Sequence, residues 1–220
     1  MAFIFLRILI LLKHLIVLYI CLRDQKVMDI AQIILEIENY ISSIPGMKNG
    51  YKPILQLSPK AKLLIIGQAP GRKAQESGIP WNDRSGDTLR SWLNLSREVF
   101  YNKDKIAIMP IGFYYTGVNK HGGDNPPDIN CAKLWHQSLI DQMPNIELTI
   151  LIGSYAQNYY LKRRIKNTMR DTIQAWKDYL PEYLVLPHPS WRNNAWIKKN
   201  KWFNEELLPE VNKIVGKVLT

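Results

Sequence analysis

Cysteine is scarce in this chain: its 220 residues include two, Cys21 and Cys131. A disulfide scaffold or an all-cysteine metal or iron–sulfur site needs four, so both are excluded and neither metal nor cofactor is expected. The same scarcity agrees with a reducing, cytoplasmic setting. No His/Cys/Asp cluster has metal-ligand spacing, and neither a Walker Gly-Lys-Ser/Thr nor a GxGxxG loop occurs. Internal repeats and low-complexity linkers are also absent. Acidic residues are in deficit, Asp+Glu 19 against Lys+Arg 29, which leaves a net charge of +10. That excess suits a polyanionic partner, nucleic acid before acidic membrane. With 46% hydrophobic and 22% charged residues, the composition is globular and excludes a disordered or fibrous chain.

A long uninterrupted hydrophobic run is missing too. Residues 1–22 are almost wholly apolar, but Arg7, Lys13 and His14 break them. A spanning helix wants about 20 mostly apolar residues, and a central charge costs about 2.5–3.5 kcal/mol. No small-residue cleavage site follows, so a secretory signal fits poorly. Three readings stay open: a marginal membrane anchor, an amphipathic helix lying on the domain, or an upstream start with no role. Residues 1–27 are therefore set apart as an apolar extension, and 28–220 as one domain expected to be a monomer.

From Met28 the pattern is regular. Ile30, Ile33, Ile34, Ile37 and Ile41 fall at helical spacing before Pro45-Gly46. Short apolar runs at 62–67, 106–110, 148–153 and 183–187 predict four buried strands. Helices are predicted at 87–95, from an Asp128 cap to Gln142, at 154–164 and at 168–179, with helical sequence filling most of the rest. Segments 49–62, 68–86 and 111–127 read as loops. This alternation predicts an α/β fold, a three-layer αβα arrangement around a four-stranded parallel sheet. Ligand sites in such sheets lie at the carboxyl ends of the strands. Gly67–Gly71, Pro110–Tyr115 and His188–Asn194 should converge there.

Gly67-Gln68-Ala69-Pro70-Gly71 is a tight turn whose glycines would let a flat ligand approach the backbone. His188, just past a buried strand, is poised to donate to an oxygen where negative charge develops. Ser190 offers a hydroxyl to a phosphate, while Trp191 and Arg192 suit stacking beside bases. His121, in a Gly-rich loop, and His136, mid-helix, read as structural or exposed. Basic clusters at 162–166 and at Lys198, Lys199 and Lys201 read as a phosphate-tracking surface flanking the site.

Together, GQAPG after the first strand and HPSWRN after the last resemble the uracil-DNA glycosylase superfamily. The first motif is similar to that of the iron–sulfur bacterial and archaeal branch, the second to that of the single-strand-selective branch. The layout covers about residues 55–215. The resemblance implies base excision: hydrolysis of the N-glycosidic bond of a flipped, deaminated base in DNA. It assigns His188 as donor to the departing base, Arg192 as the wedge that fills the vacated duplex, and Ser190 as the residue that pinches a phosphate. Gly67, Gln68, Ala69, Pro70, Gly71 and Pro110 would border the base. Trp191, Asn193, Lys198 and Lys199 would face DNA. Trp81 matches an aromatic that stacks on the base, or is a core aromatic under a loop.

The chain also departs from that pattern. Ala69 stands where the best-known branch has its water-activating aspartate, and Met109-Pro110 where a base-reading asparagine is expected. Asp83, then Gln68, are the candidates for positioning water, and Asp83 would serve equally as a loop-stabilising side chain. Without the family carboxylate, a damaged-base binding protein with weak or no hydrolysis is the alternative function. The other five tryptophans read as core.

Overall fold

The computed structural model describes residues 28–47, 50–120 and 122–220; the N-terminal extension 1–27 and His121 lie outside the described residues. Four short strands, β1 (Leu63–Ile66), β2 (Ile106–Ile108), β3 (Leu148–Ile152) and β4 (Tyr183–Leu186), pair in parallel in the order β2-β1-β3-β4. The register puts Leu64 beside Ala107 and Thr149, and Ile150 beside Leu184. Every residue of β1, β2 and β3 is buried, the signature of a sheet covered on both faces. The α/β reading holds.

The helices follow the chain. They are α1 (Ile30–Ser43), α2 (Arg72–Ser77), α3 (Arg84–Trp92), α4 (Arg97–Phe100), α5 (Ile129–Asp141), α6 (Gly153–Leu161), α7 (Met169–Gln174), α8 (Asn194–Lys199) and α9 (Leu208–Leu219). Short 3₁₀ turns at Lys162–Arg164, Trp176–Tyr179 and Trp191–Asn193 continue or link them. Because parallel crossovers are right-handed, the path from β1 to β2 carries α3 on one face, and the paths onward to β3 and β4 carry α5 and α6 on the other. α9 packs on α3 and β1, while α1 packs on α5. Ile33, Ile37 and Ile41 seat α1, and Val211 and Val215 seat α9. Asp29 caps α1 through a reciprocal bond pair with Gln32.

Three stretches differ from expectation. The segment 68–86 is not all loop: Gly71 caps α2, which ends on Gly78 in the left-handed region, and α3 begins at Arg84 rather than at 87. A helix of six residues is too short to show periodicity. In the segment 49–62, Gln56 forms an antiparallel bridge with Ile108, and its side chain donates to Phe100 and Ile106 carbonyls, extending the sheet edge by one residue. The basic cluster at 162–166 does not flank the strand ends. α6 runs back along the sheet from the carboxyl end of β3, so its tail emerges at the amino edge. There Arg164 pairs with Glu182 (3.0 Å) just before β4, and Lys166 with Asp178 (3.2 Å). No helix among the described residues is long and apolar enough to cross a membrane.

Candidate active site

The carboxyl ends of the strands open into a cleft of about 700 Å³. Gly67, Gln68, Ala69, Pro70 and Gly71 border it after β1, Pro110 after β2, and His188, Ser190, Trp191, Arg192 and Asn193 after β4. Trp81 and Asp83, from the approach to α3, complete the predicted set, so thirteen residues named from sequence line one cavity. Lys198 and Lys199 do not line it; they are exposed in the last turn of α8, directly beyond the His188 loop.

His188 is the partly buried centre of this cleft. Its Cβ packs against the Gly153 backbone at the end of β3, and its carbonyl accepts from the Asn193 side chain at 2.7 Å. Asn193 therefore fixes the path of the loop rather than projecting freely. Burial pushes the imidazole below its ordinary pKa, and the Arg192 charge adds to this; the carboxylates of Asp83 and Asp124 work against it. Burial is the largest of these effects, so a neutral ring, one nitrogen carrying a proton to donate, is the form favoured at neutral pH.

Asp83 divides its two oxygens. Oδ1 accepts from the Gly86 amide at 2.8 Å and caps α3. Oδ2 faces the Gly71 turn, 3.5 Å from where a β-carbon on Gly71 would lie. The loop-stabilising reading of Asp83 thus accounts for Oδ1, and Oδ2 is left beside the cleft.

Trp81 is held in a costly conformation. Its φ is 55°, in the left-handed region that disfavours a residue with a β-carbon. Its carbonyl lies so close over Gly86 that a β-carbon there would sit 1.7 Å from the oxygen, so only glycine fits. Arg90 donates to the same carbonyl at 3.2 Å and to Tyr101 Oη at 3.1 Å, while Tyr101 donates to the Pro80 carbonyl at 3.0 Å. Arg90 is buried at 6% exposure, paired with Asp87 and flanked by the Phe100 and Tyr101 rings. This network holds the indole with its Cζ2 edge against Gly67, where an added β-carbon would stand 2.7 Å from Trp81 Cζ2. The flat group that Gly67 admits is the protein's own indole. The Trp81 ring lies 5.6 Å from the His188 ring, tilted by 37°.

The turn after β1 is braced from β2. The Ile111 and Gly112 amides donate to the Gly67 and Gln68 carbonyls, both at 2.9 Å. Pro110 is held from behind by buried His136. A carbonyl only accepts, so His136 Nε2 carries the proton that it donates to Pro110 at 3.1 Å, and Nδ1 accepts from Tyr160 Oη at 2.6 Å. Burial pulls the His136 pKa down to about 4.

Tyr115, at the end of the convergent segment 110–115, lines the cleft, but sequence reasoning missed the wall beyond it, residues Thr116, Asn119, Asp124 and Asn125. Asn125 Nδ2 donates to the Thr116 carbonyl, and a bridge joins Val118 to Asp124, pairing 116–119 with 123–125 as the arms of a small hairpin. Its Asn- and Gly-rich composition signalled a turn, but nothing in it pointed back to the cleft. Arg90 was missed as well, because a helix cation gives no sign that it is buried. Among the other tryptophans, Trp92, Trp135 and Trp176 are buried, while Trp196 and Trp202 are partly buried against the core. Among the described residues no group of three or more His, Cys, Asp or Glu is arranged to hold a metal ion.

The profile of the Uracil DNA glycosylase superfamily matches residues 55–212. The chain belongs to that superfamily. The matched span begins just before β1 and ends within α9, so it includes every element that contributes to the cleft. Two solved structures are similar to this superfamily member. One is a putative uracil DNA glycosylase from Methanosarcina acetivorans, at 18% identity over 73% of this chain and 94% of that one, with a TM-score of 0.43. The other is wild-type SMUG2 from Pedobacter heparinus, at 12% identity over 84% and 96%, with a TM-score of 0.35.

Proposed function

We propose that this protein hydrolyses the N-glycosidic bond of uracil or another deaminated base flipped out of DNA into the cleft. One observation carries the reading: a partly buried imidazole, a carboxylate and an indole, from His188, Asp83 and Trp81, meet where the strand ends converge. Superfamily membership supports the same chemistry.

As the bond from C1′ to the base nitrogen breaks, the sugar becomes oxocarbenium-like and the base keeps the electron pair. An N–H of neutral His188, donated to a base carbonyl, stabilises that developing charge. A water molecule adds to C1′ and gives its proton to Asp83 Oδ2, while Oδ1 stays on the Gly86 amide. Gln68 is the second candidate for orienting this water. The products are an abasic sugar and a free base, which takes a proton from solvent, while Asp83 returns its own to solvent. Trp81 offers its ring to the base, Ser190 its hydroxyl to a phosphate, and Arg192, Lys198 and Lys199 their charge to the backbone. Each step uses only these side chains and water.

A second reading, binding of a damaged base without efficient hydrolysis, is favoured by Ala69, which leaves the turn after β1 without a carboxylate. Labelled oligonucleotides carrying a single uracil, hypoxanthine or xanthine separate the two. Hydrolysis yields alkali-labile abasic sites on at least one of them. Gel shifts without abasic product on any of the three would select the binding protein.

A further inference from the structure

Trp191 is 73% exposed, the most exposed large hydrophobic side chain among the described residues. It lines the mouth of the cleft on the 3₁₀ turn Trp191–Asn193, three residues beyond His188. A bare indole on a soluble domain needs an explanation, because so large a ring gains most of its stabilisation from burial. The turn that carries it is not loose. The Asn193 amide donates to the Ser190 carbonyl at 3.0 Å, and the Asn193 side chain to the His188 carbonyl at 2.7 Å, so Trp191 stands at a fixed offset from His188. The Arg192 guanidinium lies over the indole, 5.2 Å from the ring centroid, and makes no ion pair among the described residues.

We propose that Trp191, backed by Arg192, is a one-sided stacking platform for a single base beside the flipped nucleotide. A side chain wedged into a duplex gap presents both faces to bases. Here the guanidinium lies over one face of the indole, so the opposite face stays open to stack on nucleic acid. The covering charge strengthens that stack and neutralises a neighbouring phosphate. Arg192 then serves as the backing of the plate rather than as the wedge itself. Every base has a π-face, so the platform is tolerant of sequence and works on single strands as well as duplexes.

The proposal rests on the reading of the cleft as a base-excision site, and the experiment separates the two. Fluorescence anisotropy measures binding of a single-stranded oligonucleotide bearing one tetrahydrofuran abasic analogue. Two further oligonucleotides replace the base on the 5′ or the 3′ side of the lesion with a baseless linker. Stacking on one base is worth roughly 10- to 100-fold in affinity. Wild-type protein is therefore expected to lose about that factor when one of the two neighbours, and not the other, is removed. Trp191→Ala should lose the same factor on the intact oligonucleotide and no longer distinguish the linkers. Trp191→Phe should recover most of both. An equal loss by Trp191→Ala on all three oligonucleotides, or no loss, overturns the platform while leaving the excision reading intact. Wild-type protein that fails to prefer the lesion overturns both.

Discussion

A methyl group added at residue 67 tests whether the clamped indole positions the chemistry. The β-carbon of Gly67→Ala would sit 2.7 Å from Trp81 Cζ2, where carbon atoms pack at about 3.5 Å or more. The indole must yield by about 0.8 Å, since the β1 backbone lies in the middle of the sheet and cannot. Trp81 has little freedom of its own: φ is fixed at 55°, Gly86 lies against its carbonyl, and Arg90 bonds to it. The displacement therefore passes to the ring and to its 5.6 Å spacing from His188. A misplacement near 1 Å costs about 10²-fold in rate. Overpacking costs about 1–3 kcal/mol, and a domain of this length loses about 2–4 °C in Tm for each kcal/mol. Single-turnover excision and thermal melting, measured together, should show a large rate loss with a fold that survives. Trp81→Phe, which removes the clashing atom, should lower activity alone yet cost little more when added to Gly67→Ala. Full activity in Gly67→Ala, or strictly additive losses in the pair, would refute the positioning argument.

Asp83→Asn keeps a side chain that caps α3 and removes the charge. Melting should change little while single-turnover excision falls by about 10²-fold or more, the scale of a lost proton acceptor; equal activity would remove Asp83 from the mechanism. Burial holds the His188 pKa below its ordinary value, and the active ring is neutral, so the rate should rise through an acid limb below about pH 6.5 and level off by pH 7. Asp83 counters that depression, so Asp83→Asn should move the limb to still lower pH, and a rate that falls as pH rises through this window would contradict a neutral donor. His136 offers a stability test. Its pKa is near 4 in the fold and about 6.5 in the unfolded chain, so the unfolded state binds the extra proton between these values, and stability is lost as pH falls from about 6.5 to 4. Urea unfolding should show about 3 kcal/mol of acid loss that His136→Gln lacks, and equal losses in the two proteins would exclude the assignment.

The strands were legible because their chemistry is blunt. Leu63–Ile66 and Leu148–Ile152 are unbroken apolar runs, and a fully buried parallel strand needs nothing subtler. His188 was legible because it follows such a run by two residues. What escaped depends on three-dimensional closure. α2 is too short for periodicity, and the tension at Trp81 arises only when Gly86 and Arg90 arrive beneath it. The place of the cluster at 162–166 follows from chain direction rather than from charge. A helix leaving the carboxyl end of β3 must end at the opposite edge, and two of those cations pair there with Glu182 and Asp178. Asp124 and Asn125 reach the cleft through a hairpin held by side-chain to backbone bonds, which leave no periodic trace.

The central claim is that this cleft cuts a base from DNA with His188 as the donor. Mass spectrometry of the free base released in a single turnover, from oligonucleotides each bearing one uracil, hypoxanthine or xanthine, measures that event itself. Stoichiometric release of at least one of these bases is expected from the wild-type protein. A loss of about 10²–10³-fold is expected in His188→Ala, the scale for removing one such donor. No released base from any of the three substrates, or release undiminished in His188→Ala, would contradict it.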